Sequence, residues 1–577
     1  MIDLLLKEFY KKEWWRYLLG ILVLLVVDYI QVIIPQKIGQ IFDILNTNSS
    51  MDYLKILISS ILFLAFGLVL GRFLWRIFIF GSARLFQYKT IDKMFSRIIT
   101  LDQNFFDKWR TGDLMTRFTS DTQMARRLTG NAVIMLVDTT FMTILTIYKM
   151  NQEVSWKLTL VSILPLPFIA LVSLILGKLI HKKFIELQES TSDLSNITEE
   201  SIAGMNVIKV FSNHKTIQKL FEKKAKRNYD AQISLIKVWG FMFPVIMFLG
   251  ALATILVFRY GGEMVITKQI TLGNFIATNQ YVGMLVWPMM AFGWLVNIIQ
   301  RGKTSVKRIE EVLEQKSSIE DPKYISKNFN GVIKIKNLTF KYPETERNVL
   351  KNISLDINSG EMVAFVGKIG SGKSTLSKLI TKLYKVKNDS IFIDDVDINK
   401  LNSKFIRDNI AYVPQDTFLF SMPIKDNIMF SNTDSSKNYK KYTKIANVHE
   451  DINALDKGYD TQVGERGVSL SGGQRQRVTI ARALAKDSKM IILDDCLSAV
   501  DTETEEKIIK NLREEIKNRT ILVISHRLKA VKEADKIFVF EDGTIIEQGN
   551  HEELINLNGT YYSMYQKQLI EEKLKEE

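Results

Sequence analysis

Residues 367–375 read Gly-Lys-Ile-Gly-Ser-Gly-Lys-Ser-Thr and fit the spacing G-x-x-x-x-G-K-[ST] in full. Gly367, Gly370 and Gly372 let backbone N–H groups come close to phosphate oxygens, and a helix opening at the loop adds a favourable dipole. Ser371 and Thr375 flank the charged centre. Lys373 is expected to hold the β- and γ-phosphates of ATP, and Ser374 to offer a hydroxyl to Mg²⁺. Further on, the apolar run 490–493 ends in Asp494-Asp495. A carboxylate at the end of a buried strand can orient Mg²⁺ and its water, a role that falls to Asp494. Between the two lies Leu470-Ser471-Gly472-Gly473-Gln474, a small-residue turn in front of a helix-forming run.

These groups need elements to hold them. Residues 362–366 form an apolar run before the glycine loop and 375–383 a helical one after it, the strand–loop–helix context the motif requires. Residues 331–340 alternate apolar and polar as a half-buried strand does. The first half of the chain is different. Six apolar stretches, about 17–35, 54–71, 131–148, 158–176, 238–258 and 275–299, approach or exceed the ~20 residues that cross a membrane as a helix. Three connections between them are short. Two, 72–130 and 177–237, are long and carry 11 Lys or Arg each, against one or two in each short connection. The positive-inside rule then places the long connections, both termini and the second half in the cytoplasm. Lys7, Lys11, Lys12 and Arg16 agree, and Trp14, Trp15 and Tyr17 read as an interfacial anchor. The long connections have helical periodicity and extend the spans, with a short docking helix expected at each tip, near 112–118 and 204–211.

The chain has 577 residues, with 46% hydrophobic residues and a formal net charge of +14. Residues 1–330 hold 39 basic and 26 acidic side chains, residues 331–577 hold 38 and 37. The excess therefore sits in the membrane half, where it sets orientation and meets anionic headgroups, and no nucleic-acid partner is expected. One cysteine excludes a disulfide scaffold, and five scattered histidines give no metal-ligand spacing. Asp28 and Asp138 lie inside spans, where ionisable groups suggest function by default; Gln280, Trp287, Asn297 and Gln300 mark the sixth span.

The pentapeptide 470–474, between the two phosphate motifs and in this order, resembles the signature of ATP-binding cassette (ABC) proteins. The resemblance implies further roles, residue by residue. Tyr342 resembles the aromatic that stacks on adenine. Gln415, in Val413-Pro414-Gln415-Asp416, resembles the Q-loop glutamine near Mg²⁺. Residues 463–467 resemble the X-loop of exporters, Ser498-Ala499-Val500-Asp501 the D-loop, and His526 the switch histidine that contacts the γ-phosphate. Ser471, Gly472, Gly473 and Gln474 would complete a nucleotide site on a partner cassette. The whole chain is similar to an ABC exporter half-transporter: an α-helical transmembrane bundle of six spans with long cytoplasmic extensions, plus a C-terminal α/β P-loop ATPase domain. The corresponding boundaries are a membrane domain over 1–310, a connector over 311–330 and a nucleotide-binding domain over 331–577. Phe105-Phe106-Asp107, Gly112-Asp113-Leu114 and the run from Trp287 to Gly302 further resemble Bacillus-type heterodimeric multidrug exporters, and among those the degenerate-site subunit.

One departure matters. The run 490–494 resembles the Walker B strand, and where most cassettes place a glutamate after its aspartate, Asp494, this chain has Asp495. Aspartate is shorter by one C–C bond, about 1.5 Å, and a ~1 Å misplacement can cost ~10²-fold in rate. The site built on Lys373 and Asp494 is therefore expected to bind ATP and hydrolyse it slowly, with Asp495, Gln415 and His526 as its catalytic set. An intact signature beside a weakened Walker B implies a different partner chain that supplies the glutamate. The expected activity is ATP-driven export of lipophilic or drug-like compounds across the cytoplasmic membrane. A lipid or peptide exporter, a siderophore importer on the exporter fold, and a nucleotide-gated protein that does not pump are the alternatives.

Overall fold

The computed structural model describes residues 4–47, 51–322, 328–431, 438–464, 470–515 and 519–576. They form two compact units: residues 1–100 with 110–315, and residues 101–109 with 316–577.

The first unit is a bundle of six long apolar helices, Leu4–Asn46, Met51–Ile98, Thr111–Glu153, Trp156–Ala203, His214–Ile266 and Leu272–Leu313. Each has 42 to 53 residues. At ~1.5 Å per residue such a helix is about twice as long as the hydrocarbon core is thick. The apolar stretches of the sequence are thus the membrane-crossing parts of longer rods. Their lipid-compatible surface stays exposed, for example Phe63 at 77% and Phe66 at 62%. Inside the bundle, Val32, Leu166, Ile169, Tyr281 and Leu285 are buried together. Small residues bring two rods close: the backbones of Gly39 and Gly273 pack against each other, and Asp43 accepts hydrogen bonds from the Gly273 N–H (2.7 Å) and the Thr271 hydroxyl (2.8 Å).

The tip of the second long connection is the short helix Met205–Val210, inside the expected segment. The first differs from expectation. Its short helix is Gln103–Lys108, whereas Thr111–Thr116 continues through a wide turn, Arg117–Asp121, into the third span. Gly112 is not a break there because it stands in the first turn of that helix, just after the N-cap Arg110, where the N–H groups have no intrahelical partner to lose. Residues 101–109 belong to the second unit. Asp102 accepts from Ser318 N–H and hydroxyl, both at 2.5 Å, and Asp107 accepts from Tyr384 at 2.6 Å.

The second unit is built on ten strands: β1 Ile333–Phe340, β2 Leu350–Ile357, β3 Met362–Gly367, β4 Ile391–Ile393, β5 Val396–Asp397, β6 Ile410–Val413, β7 Met490–Asp494, β8 Thr520–Ile524, β9 Lys536–Glu541 and β10 Thr544–Gly549. A six-stranded sheet has the order β10-β9-β3-β8-β7-β6, parallel except for β10. An antiparallel sheet, β2-β1-β4-β5, accompanies it. The central strands β3, β7 and β8 are buried throughout, as strands covered on both faces must be. Alternate residues feed two cores: Ala364, Val366, Leu493 and Val523 one, Val363, Phe365, Ile492 and Leu522 the other. This order sets β3 and β7 on either side of β8, so the loops after β3 and β7 open at the same sheet edge, where a parallel sheet holds its ligands.

Candidate nucleotide site

The phosphate loop follows β3 directly. Gly367, Gly370 and Gly372 have φ of 138°, 79° and 100°, values that side-chain-bearing residues rarely adopt. A Cβ on Gly367 would also collide with the Phe540 carbonyl of β9. Helix Lys373–Ile380 starts at the loop's end. Lys373 is 4% exposed, and its Nζ donates to the Gly367 carbonyl (2.9 Å), the Lys368 carbonyl (2.7 Å) and the Ser371 hydroxyl (3.2 Å). Its ammonium thus stands inside the loop's curve. Burial pushes its pKa down to about 8, against the pull of Asp495 and Asp494.

Asp494, at the end of β7, is 1% exposed and closely held. Its Oδ1 accepts from the Ser374 hydroxyl at 2.6 Å; its Oδ2 accepts from Ser377 at 3.1 Å and from the Tyr412 hydroxyl at 2.8 Å. Asp495 follows with φ 46°, in the left-handed region that Asp tolerates, and its N–H donates to the Ile524 carbonyl at 2.9 Å. Gln415 Nε2 reaches Asp495 Oδ2 at 3.4 Å. Burial raises the Asp495 carboxyl above the usual range, opposed by His526 and Lys373. His526 is pushed down by burial and by Lys373, against the opposing pull of Asp495 and of the Gly367 backbone. Tyr342 packs edge-on against Phe340 and Tyr384, and its hydroxyl lies 3.0 Å from that of Thr375. Hydroxyl, carboxylate and amide oxygens at one sheet edge are the hard donors Mg²⁺ takes. Ser374, Asp494 and Gln415 therefore fit the metal, and the loop around Lys373 fits a polyphosphate.

The signature residues are assembled elsewhere. Ser471 caps helix Gly472–Ala485 in a reciprocal capping box with Gln474. Gln474 also donates to Asp451 (3.0 Å), which Arg477 holds at 2.9 Å. Gly473 lets the helix approach Ala499, whose carbonyl would be 2.9 Å from an added Cβ. Among the described residues no hydrogen bond joins Ser471, Gly472, Gly473 or Gln474 to Lys373, Ser374 or Asp494. The expected X-loop residues Val463 and Gly464 are described, while Glu465–Gly467 lie outside the described residues.

Several contacts were not read from the sequence. Tyr412 and Ser377 complete the Asp494 cradle. Arg527, next to His526, donates to the carbonyls of Val500 (2.6 Å) and Ser498 (3.1 Å) and to Glu505 (2.7 Å), tying the segment after β8 to the one after β7. Gln568, far along the chain, donates to the His526 carbonyl (2.6 Å) and accepts from Leu528 N–H (2.8 Å). A polar hydroxyl in β6, just before Gln415, is the one available signal for Tyr412; nothing local marks Gln568.

A six-span helical bundle joined to an α/β ATPase with this phosphate cradle is the architecture of an ABC exporter subunit. Family models agree: "ABC transporter transmembrane region" matches residues 17–289 and "ABC transporter" residues 350–498. The multidrug resistance-like ATP-binding protein MdlA of Buchnera aphidicola subsp. Schizaphis graminum is 37% identical over 98% of both chains. The probable multidrug resistance ABC transporter ATP-binding/permease protein YheI of Bacillus subtilis is 35% identical over 97% of both. An ATP-dependent lipid A-core flippase of Photorhabdus laumondii is 32% identical over 82% of both. The solved structure of a bacterial Atm1-family ABC exporter with ATP bound superposes with a TM-score of 0.79 over 96% of this chain and 99% of that one, at 23% identity, and shares the fold. The chain belongs to the ABC transporter family, and is a multi-pass membrane protein that binds ATP and couples its hydrolysis to transport.

Proposed function

We propose that this chain is one half of an asymmetric ABC heterodimer that exports lipophilic or drug-like compounds across the cytoplasmic membrane, with both termini cytoplasmic. The membrane domain spans 1–310, the connector 311–330 and the cassette 331–577. Asp495 carries this reading: it stands where a glutamate would polarise water, while Ser471–Gln474 keep the full signature. In this chain's own site, Lys373, the loop around Gly370 and Gly372, and Thr375 bind the phosphates, and Tyr342 stacks on the base. Ser374, Gln415 and Asp494 hold Mg²⁺, which neutralises phosphate charge when bound. Asp495 accepts the proton of the attacking water poorly because its carboxylate falls short. His526 contacts the γ-phosphate and reports its loss. Ser471, Gly472, Gly473 and Gln474 complete the partner's site, which does most of the hydrolysis. The multidrug-named relatives, alike over nearly the whole length, support the substrate class.

The test is ATP turnover by the co-expressed pair after the partner's Walker B glutamate is changed to Gln. Turnover should fall ~10²-fold or more; undiminished turnover would overturn the asymmetric assignment. The flippase relative favours a second reading, lipid export. Dye accumulation in inverted vesicles against movement of labelled lipid between leaflets separates the two.

A further inference from the structure

The start of the first helix bears a cavity that the nucleotide machinery does not use. Glu13 has non-helical angles (φ −111°, ψ 15°), so residues 4–12 form an elbow set off from the span. Leu5, Phe9 and Lys12 of the elbow face Phe86, Lys89 and Lys93 of the second helix across a cavity of about 180 Å³. Each set keeps one helical face, at i, i+4, i+7 and i, i+3, i+7 respectively. The floor is apolar: Leu5, Phe9 and Phe86 are 8%, 7% and 1% exposed. The rim is cationic. Lys89 bonds Glu13 at 2.7 Å, which pins the bend, and sits over the Phe9 ring at 5.8 Å. Lys93 pairs with Glu8 at 3.0 Å. Lys12 lines the same cavity with no ion-pair partner among the described residues. Three lysines against Glu8 and Glu13 leave one net positive charge.

The place in the chain says what meets this charge. Trp14 and Trp15, 59% and 44% exposed, follow the elbow at once, and the apolar run begins at Tyr17. Exposed indoles beside such a run mark the membrane–water boundary. An apolar floor with a cationic rim at that depth matches a phosphodiester headgroup above its acyl chains. We propose that the elbow cavity is a binding site for one anionic phospholipid, with Lys12 as the principal phosphate contact and the Glu8–Lys93 pair opening to admit it.

The full-length transporter, reconstituted in nanodiscs of equal parts phosphatidylglycerol and phosphatidylcholine, tests this by mass spectrometry of the lipid retained through detergent extraction. Lys12→Gln should lower the retained phosphatidylglycerol-to-phosphatidylcholine ratio about five-fold. Glu8→Gln, which removes a competing anion, should leave that ratio at or above the unsubstituted level. Both variants should keep basal ATP turnover, which shows that they fold. An unchanged ratio in Lys12→Gln, or a fall in both variants, would overturn the proposal; the second outcome would make the rim a packing feature.

Discussion

At the residue scale, the chemistry turns on two carboxylates and one lysine. Asp494 has its oxygens committed to Ser374, Ser377 and Tyr412, whereas the Asp495 carboxylate has, among the described residues, only the long contact to Gln415. If the missing methylene is what slows this site, Asp495→Glu should raise its ATP turnover ~10²-fold, measured with the partner's glutamate changed to Gln. No rise would place the defect elsewhere. Lys373 gives a pH signature. Burial holds its pKa down to about 8 in the nucleotide-free site, and phosphate oxygens favour the charged form. ATP binding should therefore take up about half a proton at pH 8, seen as calorimetric heats that depend on the buffer's ionisation enthalpy. Affinity should be flat below pH 7 and fall toward tenfold per pH unit above 8, because the free site then loses the proton that the bound site keeps.

At the element scale, close approaches decide where helices and loops sit. Gly372 has φ 100°, and an added Cβ would lie 2.6 Å from Leu350 Cδ2. Gly372→Ala should cost about 1–3 kcal/mol of local strain and abolish nucleotide binding, read by loss of ATP-induced thermal stabilisation. In the membrane unit, the backbone contact between Gly39 and Gly273 joins the first and sixth helices, as small residues do in bilayers. Gly39→Leu should force them apart and lower the unfolding temperature in detergent, while the same change at Gly240, which has open space around its Cβ position, should be tolerated.

At the scale of the whole molecule, orientation is the property to test. Cys496 is the sole cysteine; it is 2% exposed, and burial pushes its thiol pKa far up. The chain is therefore a quiet background for cysteine labelling. Gln269→Cys, in a short connection, should react with an impermeant maleimide on intact cells. Lys215→Cys, on the second long connection, should react only in inverted vesicles. The reverse pattern would invert the proposed topology.

Much of this molecule is legible in local sequence. Six apolar runs of helical length specify membrane helices because a single segment in hydrocarbon can satisfy its own backbone hydrogen bonds only as a helix. The glycine loop between strand and helix, the aspartate pair at a strand end and the small-residue turn before a helix are each defined by residues within ten positions of one another. The short helix expected near 112–118 lies instead at Gln103–Lys108, because Thr111–Thr116 runs on through Arg117–Asp121 into the third span and leaves no separate tip there. What lay beyond the sequence was long-range pairing: Tyr412 on Asp494, Gln568 on the backbone beside His526, and Glu13 on Lys89 at the elbow. Such contacts join groups tens of residues apart, so no spacing rule encodes them. The sequence by itself determined which chemistry the chain carries, because motif and periodicity are local. Only the tertiary structure decided which side chains hold that chemistry in place, because strand order and helix packing choose the neighbours.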